Sequence, residues 1–287
     1  AGDNSGFNGS WDITGSGGVT VTAQENLGGS PVQLNGILNV SPASGGFTFI
    51  NALTGNGLLA ATLGSISDAF NFAATAGNAF NGIVALRRGT MALEGDNTSA
   101  LANATLSLGI GAIATLNSDQ TIGNLTFNGG LLDVAMSTPS SANILTVNNL
   151  NVDSAVTPPD VGVVNLQTTS LPPGTKPDGN FLDQDNEVDN GIQLVKATTV
   201  SSEGTHLTLL LDGAAPADET DQVSDGFGHD DVLATYGYTA VMTAGANAPG
   251  GPGLYAGYML KVLNSQSTAV IDTTGATDST LGAQLTG

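Results

Sequence analysis

The sequence predicts an all-β chain coiled as a parallel β-helix, a solenoid with loop insertions, and three observations predict it. The phrase Phe-Asn-Gly recurs at Phe7, Phe80 and Phe127, with gaps of 73 and 47 residues. Those gaps approximate three and two multiples of a period of roughly 24, inside the range of repeat architectures. Charged residues make up 10% of the chain and Gly counts 40 of 287, against about 25% and about 7% in average proteins. Polarity is carried instead by Ser, Thr, Asn and Gln, which suits strands and tight turns better than helices with a charged solvent face. Short runs of alternating apolar and polar residues, set between Gly, Asn and Asp, complete the pattern.

Taken in order, the chain opens with AGDNSGFNGS, which lacks the charged and apolar regions of a signal peptide. No run reaches the length of a membrane-spanning helix, so the chain reads as a mature product or an excised piece. Leu59 to Ala79 is rich in Ala and is the one place where a short helix is expected. From Phe80 to Val134 the apolar residues Ile83, Leu86, Met91, Leu93, Leu106, Leu108, Ile113, Leu116, Ile122, Leu125, Phe127 and Leu132 recur among small polar ones. Alternation is plain in Thr105-Leu106-Ser107-Leu108, and Glu94-Gly95-Asp96-Asn97 and Asn117-Ser118-Asp119 read as turns because their side chains tolerate left-handed backbone or bond back to it.

No long helix separates these strands, so a parallel sheet requires the chain to return to the same place after each coil. Roughly 11 to 14 coils of 20 to 25 residues, stacked at about 4.8 Å, give a rod about 55 to 65 Å long. A sandwich of hairpins needs the same alternation and is set aside only by the period.

One domain spanning 1–287 is expected, with an irregular insertion around 157–191 and loops at 214–231 and 246–252. Pro158-Pro159, Pro172-Pro173 and Pro177 bracket Val161 to Leu171, and proline disrupts ladder pairing away from edges and bulges. Asn247-Ala248-Pro249-Gly250-Gly251-Pro252 marks the last loop.

Charge excludes one class of partner. The net charge is -20 with five Lys and Arg, too few cations to neutralise a row of phosphates, so nucleic acid is not expected. A cationic or neutral polar partner fits the field better. With no Cys there are no disulfides, thiol catalysis or cysteine metal sites, and stability must come from stacking.

The sharpest chemical candidate is the stretch from Asp183 to Gly191, where Asp183, Asp185, Glu187 and Asp189 place carboxylates at every second position. Calcium takes six to eight oxygens and a tight acidic loop supplies several. The loop lacks the glycine and closing Glu of an EF-hand and the glycine repeat of a calcium β-roll, so a solvated acidic turn is the competing reading. No other cofactor is indicated. A looser cluster comprises Asp218, Glu219, Asp221, Asp225, Asp230 and Asp231.

His229-Asp230-Asp231 invites comparison with the paired carboxylates of glycosidases, yet neighbours in a strand point to opposite faces. No nucleophile signature accompanies His206 or His229, and His206 reads as a surface strand residue; the chain is not expected to be an enzyme. Arg87-Arg88 reads as a salt bridge or an exposed turn. Trp11, Tyr236, Tyr238, Tyr255 and Tyr258 read as core or end-cap packing, with sugar stacking as the alternative.

The phrases FNGIVALRRGTMALEG, NATLSLGIGAIATL and QTIGNLTFNGGLLDV resemble coils in the passenger domains of AIDA-type and pertactin-like autotransporters. The closing segment, from LATYGYTAVMTAG to TLGAQLTG, resembles part of large enterobacterial passengers. The resemblance implies a right-handed parallel β-helix at the bacterial cell surface, anchored in the outer membrane or secreted. It also implies adhesion, self-association or biofilm formation. The partners implied are passengers on neighbouring cells, host glycans or extracellular matrix. Such proteins end in an outer-membrane β-barrel, whose strands of roughly ten alternating residues are not found here, and Gly287 falls in mid-repeat. A polysaccharide-degrading β-helix enzyme and a passive stalk are the alternatives.

Overall fold

In the computed structural model the described residues are 2–74, 79–139, 141–155, 161–169, 171, 191–216, 219–224, 230–244 and 250–261, with backbone alone at 219–224, 230–236 and 258–261. They form an all-β architecture with large mixed sheets. Most of it is built from parallel ladders.

The principal ladder runs through Gly18–Val21, Ile37–Val40, Leu58–Thr62, Ile83–Ala92, Thr105–Gly109, Asn124–Asn128, Leu145–Val152 and Ile192–Val200. Neighbours pair in parallel along this order. Its register joins Gly18 to Ile37, Ile37 to Leu58, Leu58 to Ile83, Ile83 to Thr105, Thr105 to Asn124 and Asn124 to Asn149. The chain therefore returns every 19 to 25 residues as far as Leu145–Val152, and the last step, Asn149 to Thr199, takes 50.

A second parallel ladder starts from the far half of Ile83–Ala92 and continues through Ala112–Leu116, Leu131–Thr138, Val163–Gln167 and His206–Leu211. Near the N-terminal end, Trp11–Ile13, Val32–Leu34 and Leu53–Thr54 form a third, and Phe47–Phe49 pairs in parallel with Phe70–Phe72.

Alternation decides which side chains face in. In the principal ladder Leu38, Leu59, Val84, Leu106, Leu125 and Leu150 occupy one register row, and Val40, Ala61, Leu86, Leu108, Phe127 and Val152 the next. All are buried. The second ladder contributes Met91, Ala114, Leu132, Val164 and Leu209 in the same manner. Like side chains thus stack on like across successive strands, as with Phe47 over Phe70, whose rings are parallel within 5° at 6.1 Å. Each fully buried residue of this size contributes about 1.5–3 kcal/mol.

Several expectations require correction. Leu59 to Ala79 holds strands Leu58–Thr62 and Phe70–Phe72 and no described helix. Ala60 and Ala61 are buried at 1% and 0% exposure. Pairing on both edges of Leu58–Thr62, with small side chains filling a crowded row, overrides alanine's helical preference. The α-helix among the described residues is instead Gly95–Ala100, where a turn is expected.

Phe-Asn-Gly does not mark one structural position either. Phe80 is buried before the strand at Ile83, Phe127 is buried inside Asn124–Asn128, and Phe7 is exposed outside any strand. Within the insertion expected at 157–191, Val163–Gln167 is a regular rung of the second ladder; 156–160 and 172–190 lie outside the described residues. Glu219–Ser224 is a strand inside the loop expected at 214–231. It pairs antiparallel with Asp230–Thr243, which pairs antiparallel with Gly253–Lys261. Gly253–Lys261 in turn lies antiparallel to Ile192–Val200. The short connections from Ser224 to Asp230 and from Thr243 to Gly253 permit hairpins, whereas parallel pairing needs a longer crossover.

Corners are held by buried amides and by glycine. Asn51 is fully buried, and its Nδ2 donates to Gly28 O (2.9 Å) and Ser30 O (2.7 Å) while Oδ1 accepts from Gln24 Nε2 (2.8 Å). Asn97, from the helix, accepts from Phe72 N (2.7 Å) and donates to Ala92 O (2.8 Å). At another corner the Asn-Gly pairs 35–36, 56–57 and 81–82 lie over one another. A Cβ on Gly57 would strike Gly36 O and one on Gly82 would strike Gly57 O, the carbonyls that accept from Leu58 N and Ile83 N at 2.9 Å.

Gly57→Ala should therefore lower stability by about 1–3 kcal/mol through overpacking. Gly29→Ala, where a Cβ meets nothing within 4 Å, should leave the urea midpoint nearly unchanged. Asn51→Leu keeps the volume but strands the buried Ser30 carbonyl and leaves Gly28 O with Gln24 Nε2 alone, and should cost about 1–3 kcal/mol in the same measurement; an unshifted midpoint would contradict the role given to that amide.

Candidate functional site

The outward face of the principal ladder changes character along its length. One outward row reads Ile37, Leu58, Ile83, Thr105, Asn124, Asn149 and Thr199, and the adjacent row Asn39, Ala60, Ala85, Ser107, Thr126 and Asn151. In the first of these rows Ile37, Leu58 and Ile83 are apolar, with Ile83 44% exposed, whereas the adjacent row starts with Asn39 and its Ala60 is buried. From Thr105 onward the rows are hydroxyls and amides.

Hydrogen bonds tie these groups across strands. Asn124 Nδ2 donates to Thr105 Oγ1 (3.2 Å), Ser201 Oγ to Asn149 Oδ1 (2.9 Å) and Ser202 Oγ to Asn151 Oδ1 (2.6 Å). Ser202 Oγ also accepts from Val152 N (3.0 Å). Where this face meets the turn after Val152 there is a groove of about 600 Å³, lined by Thr126, Asn151, Asp153, Ser201, Ser202 and Thr205, with Val161 as an apolar wall. The Asp153 carboxylate accepts from Ala155 N at 3.0 Å and Asn128 Nδ2 at 3.3 Å. Sequence reading missed this groove: Thr126, Asn151 and Ser202 belong to three separate stretches, and only the register brings them together.

A second polar cluster lies on the other ladder. Asp133 accepts from Asn165 Nδ2 (2.7 Å) and from Gln167 Nε2, and Asn165 Oδ1 accepts from Gly213 N (2.7 Å). Asp212, with φ of +49°, accepts from Thr168 N (2.8 Å). These bonds are mutually satisfying, so the cluster braces its strands.

The candidate calcium ligands Asp183, Asp185, Glu187 and Asp189 lie outside the described residues, as do Asp218, Asp225 and His229. Glu219, Asp221, Asp230 and Asp231 fall on the antiparallel strands. Among the described residues no three His, Cys, Asp or Glu side chains converge to hold a metal. His206 is exposed on its strand, its Nδ1 3.2 Å from Thr239 Oγ1. Arg87 and Arg88 are exposed within the strand Ile83–Ala92 rather than in a turn.

The aromatic residues pack. Trp11 lies half-buried against the core, donates through Nε1 to Leu27 O (2.9 Å) and contacts the Phe7 ring at 4.8 Å. Tyr238 packs on the core, and Tyr255 is 1% exposed. The Tyr255 hydroxyl donates to Gly251 O (2.6 Å) and accepts from Gln193 Nε2 (2.9 Å), and burial pushes its pKa above the ordinary value of 10.0.

No family model matches the chain, and no solved structure matches it. Two proteins of Escherichia coli K12 are similar. The uncharacterized protein YuaQ is 29% identical over 308 residues, covering the whole of this chain and 21% of YuaQ. The uncharacterized lipoprotein YdeK is 31% identical over 257 residues, covering 79% of this chain and 18% of YdeK. The chain thus spans about a fifth of the length of these relatives.

The raised Tyr255 pKa fixes a sign. The folded state holds the phenolic proton more tightly than the unfolded state, so Tyr255 leaves stability unaffected below the ordinary tyrosine value and lowers it as pH rises past that value. Tyr255→Phe should flatten this alkaline loss in unfolding midpoints measured across the transition, while lowering the neutral-pH midpoint through the two lost hydrogen bonds.

Proposed function

We propose that this chain is a segment of a right-handed parallel β-helix passenger, displayed at the bacterial cell surface or secreted, that acts in adhesion, self-association or biofilm formation. The observation that carries the reading is the outward polar surface of the principal ladder, where Thr105, Asn124 and Asn149 lie in register on consecutive strands. Uncharged donors and acceptors repeat there at the strand spacing of about 4.8 Å. Regular parallel return of the chain every 19 to 25 residues supports the coil. The word lipoprotein in the name of YdeK supports a place in the cell envelope, and the resemblance in Phe80 to Val134 supports the passenger assignment.

The mechanism is distributed contact. Each hydrogen bond exchanged with a partner surface contributes about 0.5–1.5 kcal/mol net, too little for one contact to hold cells together. Many copies displayed on one cell convert those weak bonds into avidity. Scarcity of cations and a charge of -20 keep identical chains apart at long range, so the contact face must be locally uncharged, as the Thr105 to Asn149 row is.

Cells displaying residues 1–287 on an unrelated surface anchor should settle several-fold faster than cells carrying the anchor alone. Asn124→Asp with Asn149→Asp, which places like charges on the row, should abolish the gain without loss of display. Sensitivity of settling to a calcium chelator would assign Asp183, Asp185, Glu187 and Asp189 as a site. Unchanged settling of the parent chain would overturn self-association and leave a stalk.

A further inference from the structure

The groove at the end of the polar face differs from the rest of that face in holding a carboxylate and in having its polar groups oriented from within. Ser202 occupies Asn151 Oδ1 and accepts from Val152 N, which fixes the Asn151 amide with Nδ2 making no hydrogen bond among the described residues. The Thr126 and Thr205 hydroxyls make none there either. The groove therefore presents two hydroxyls and an amide donor from three separate stretches of the chain around the one Asp153 carboxylate. The two bonds to Asp153, from Ala155 N and Asn128 Nδ2, leave lone pairs on both its oxygens.

These features select a ligand class. A lining of hydroxyls, an amide and a carboxylate offers donors and acceptors in alternation, which matches the vicinal hydroxyls of a sugar. Among the described residues no Lys or Arg lines the groove, and the field of a chain with net charge -20 repels anionic polymers. Among the described residues no aromatic ring lines it, so the lining offers hydrogen bonds rather than stacking. The lone carboxylate, with no protein cation among the lining residues, is matched by a ligand ammonium.

We propose that this groove binds a hydroxyl-rich, amine-bearing saccharide, with Asp153 pairing the ammonium and Thr126, Asn151 and Thr205 bonding the ring hydroxyls. The proposal rests on the reading of the chain as a surface contact module, because that display is what would bring the groove to a glycan.

The test is calorimetric titration of residues 1–287 with glucosamine hexamer, N-acetylglucosamine hexamer and a heparin hexasaccharide. Glucosamine hexamer should bind most tightly and heparin not at all. Asp153→Asn should weaken the glucosamine hexamer about tenfold, the loss of one charge-assisted bond, and erase its advantage over the acetylated form. Asp96→Asn removes the same charge from the exposed helix and should change neither. Thr126→Val, on a neighbouring strand, should weaken both hexamers alike. Equal weakening by Asp153→Asn and Asp96→Asn would overturn the proposal, since the field of the whole chain and not the groove would then be responsible. Tightest binding by heparin, or binding of none of the three, would overturn it as well. If the groove fails while displaying cells still settle, only the saccharide site is lost; if saccharide binds while cells do not settle, self-association is lost and the groove stands.

Discussion

The described structure up to Val200 depends on parallel backbone pairing that brings like residues into register on successive strands. A row such as Leu38, Leu59, Val84, Leu106, Leu125 and Leu150 is apolar along its whole length because every member meets the same environment. Burial supplies the driving force, but registration decides that it is these side chains which are buried. A slip of one residue would send Thr105, Asn124 and Asn149 inward and the leucines outward. Stability without a disulfide or a described metal cluster follows from repeating one contact type many times.

Stacking also explains why the corners hold so many small and amide residues. Where the backbone of one stretch lies on the next, no space remains for a Cβ, and Gly36, Gly57 and Gly82 fill that column. Where the chain turns away from the ladder it leaves inward-facing peptide groups without partners. Asn51 and Asn97 satisfy them, each bonding three groups, Asn51 within the stretch 24–30 and Asn97 at Asn71, Phe72 and Ala92. A buried amide of this kind is stabilising only because all its partners are in place.

Because the core rows consume the apolar residues, the outward rows are free to vary, and they divide the molecule. The early rungs show Ile37, Leu58 and Ile83, and the later rungs show hydroxyls and amides. The proposed contact surface and the groove both lie on the later rungs. A face made of neutral groups at a fixed repeat favours many modest bonds over one strong one, which suits contact better than chemistry. Asp153 is the exception, a charge held at the rim by Ala155 N and by Asn128 of a neighbouring strand.

The sequence by itself determined the all-β class, the turn at Asn117 to Asp119 and most of the inward positions between Phe80 and Val134. Local alternation reports which face a side chain takes, whatever strand lies beside it. It also showed His206 as an exposed strand residue and the tyrosines Tyr238 and Tyr255 as packed. Tertiary structure alone decided the rest. Alanines 60 and 61 became strand because ladders on both sides demanded it, and Gly95–Ala100 became helix to carry Asn97 under Phe72. The last strands paired antiparallel because their connections are short. The groove exists only because Thr126, Asn151 and Ser202, separated by 25 and 51 residues, are set side by side by register. Distance along the chain carries no trace of such neighbours, since pairing energy depends on which strand closes the ladder and not on any property of the residues that the ladder later exposes.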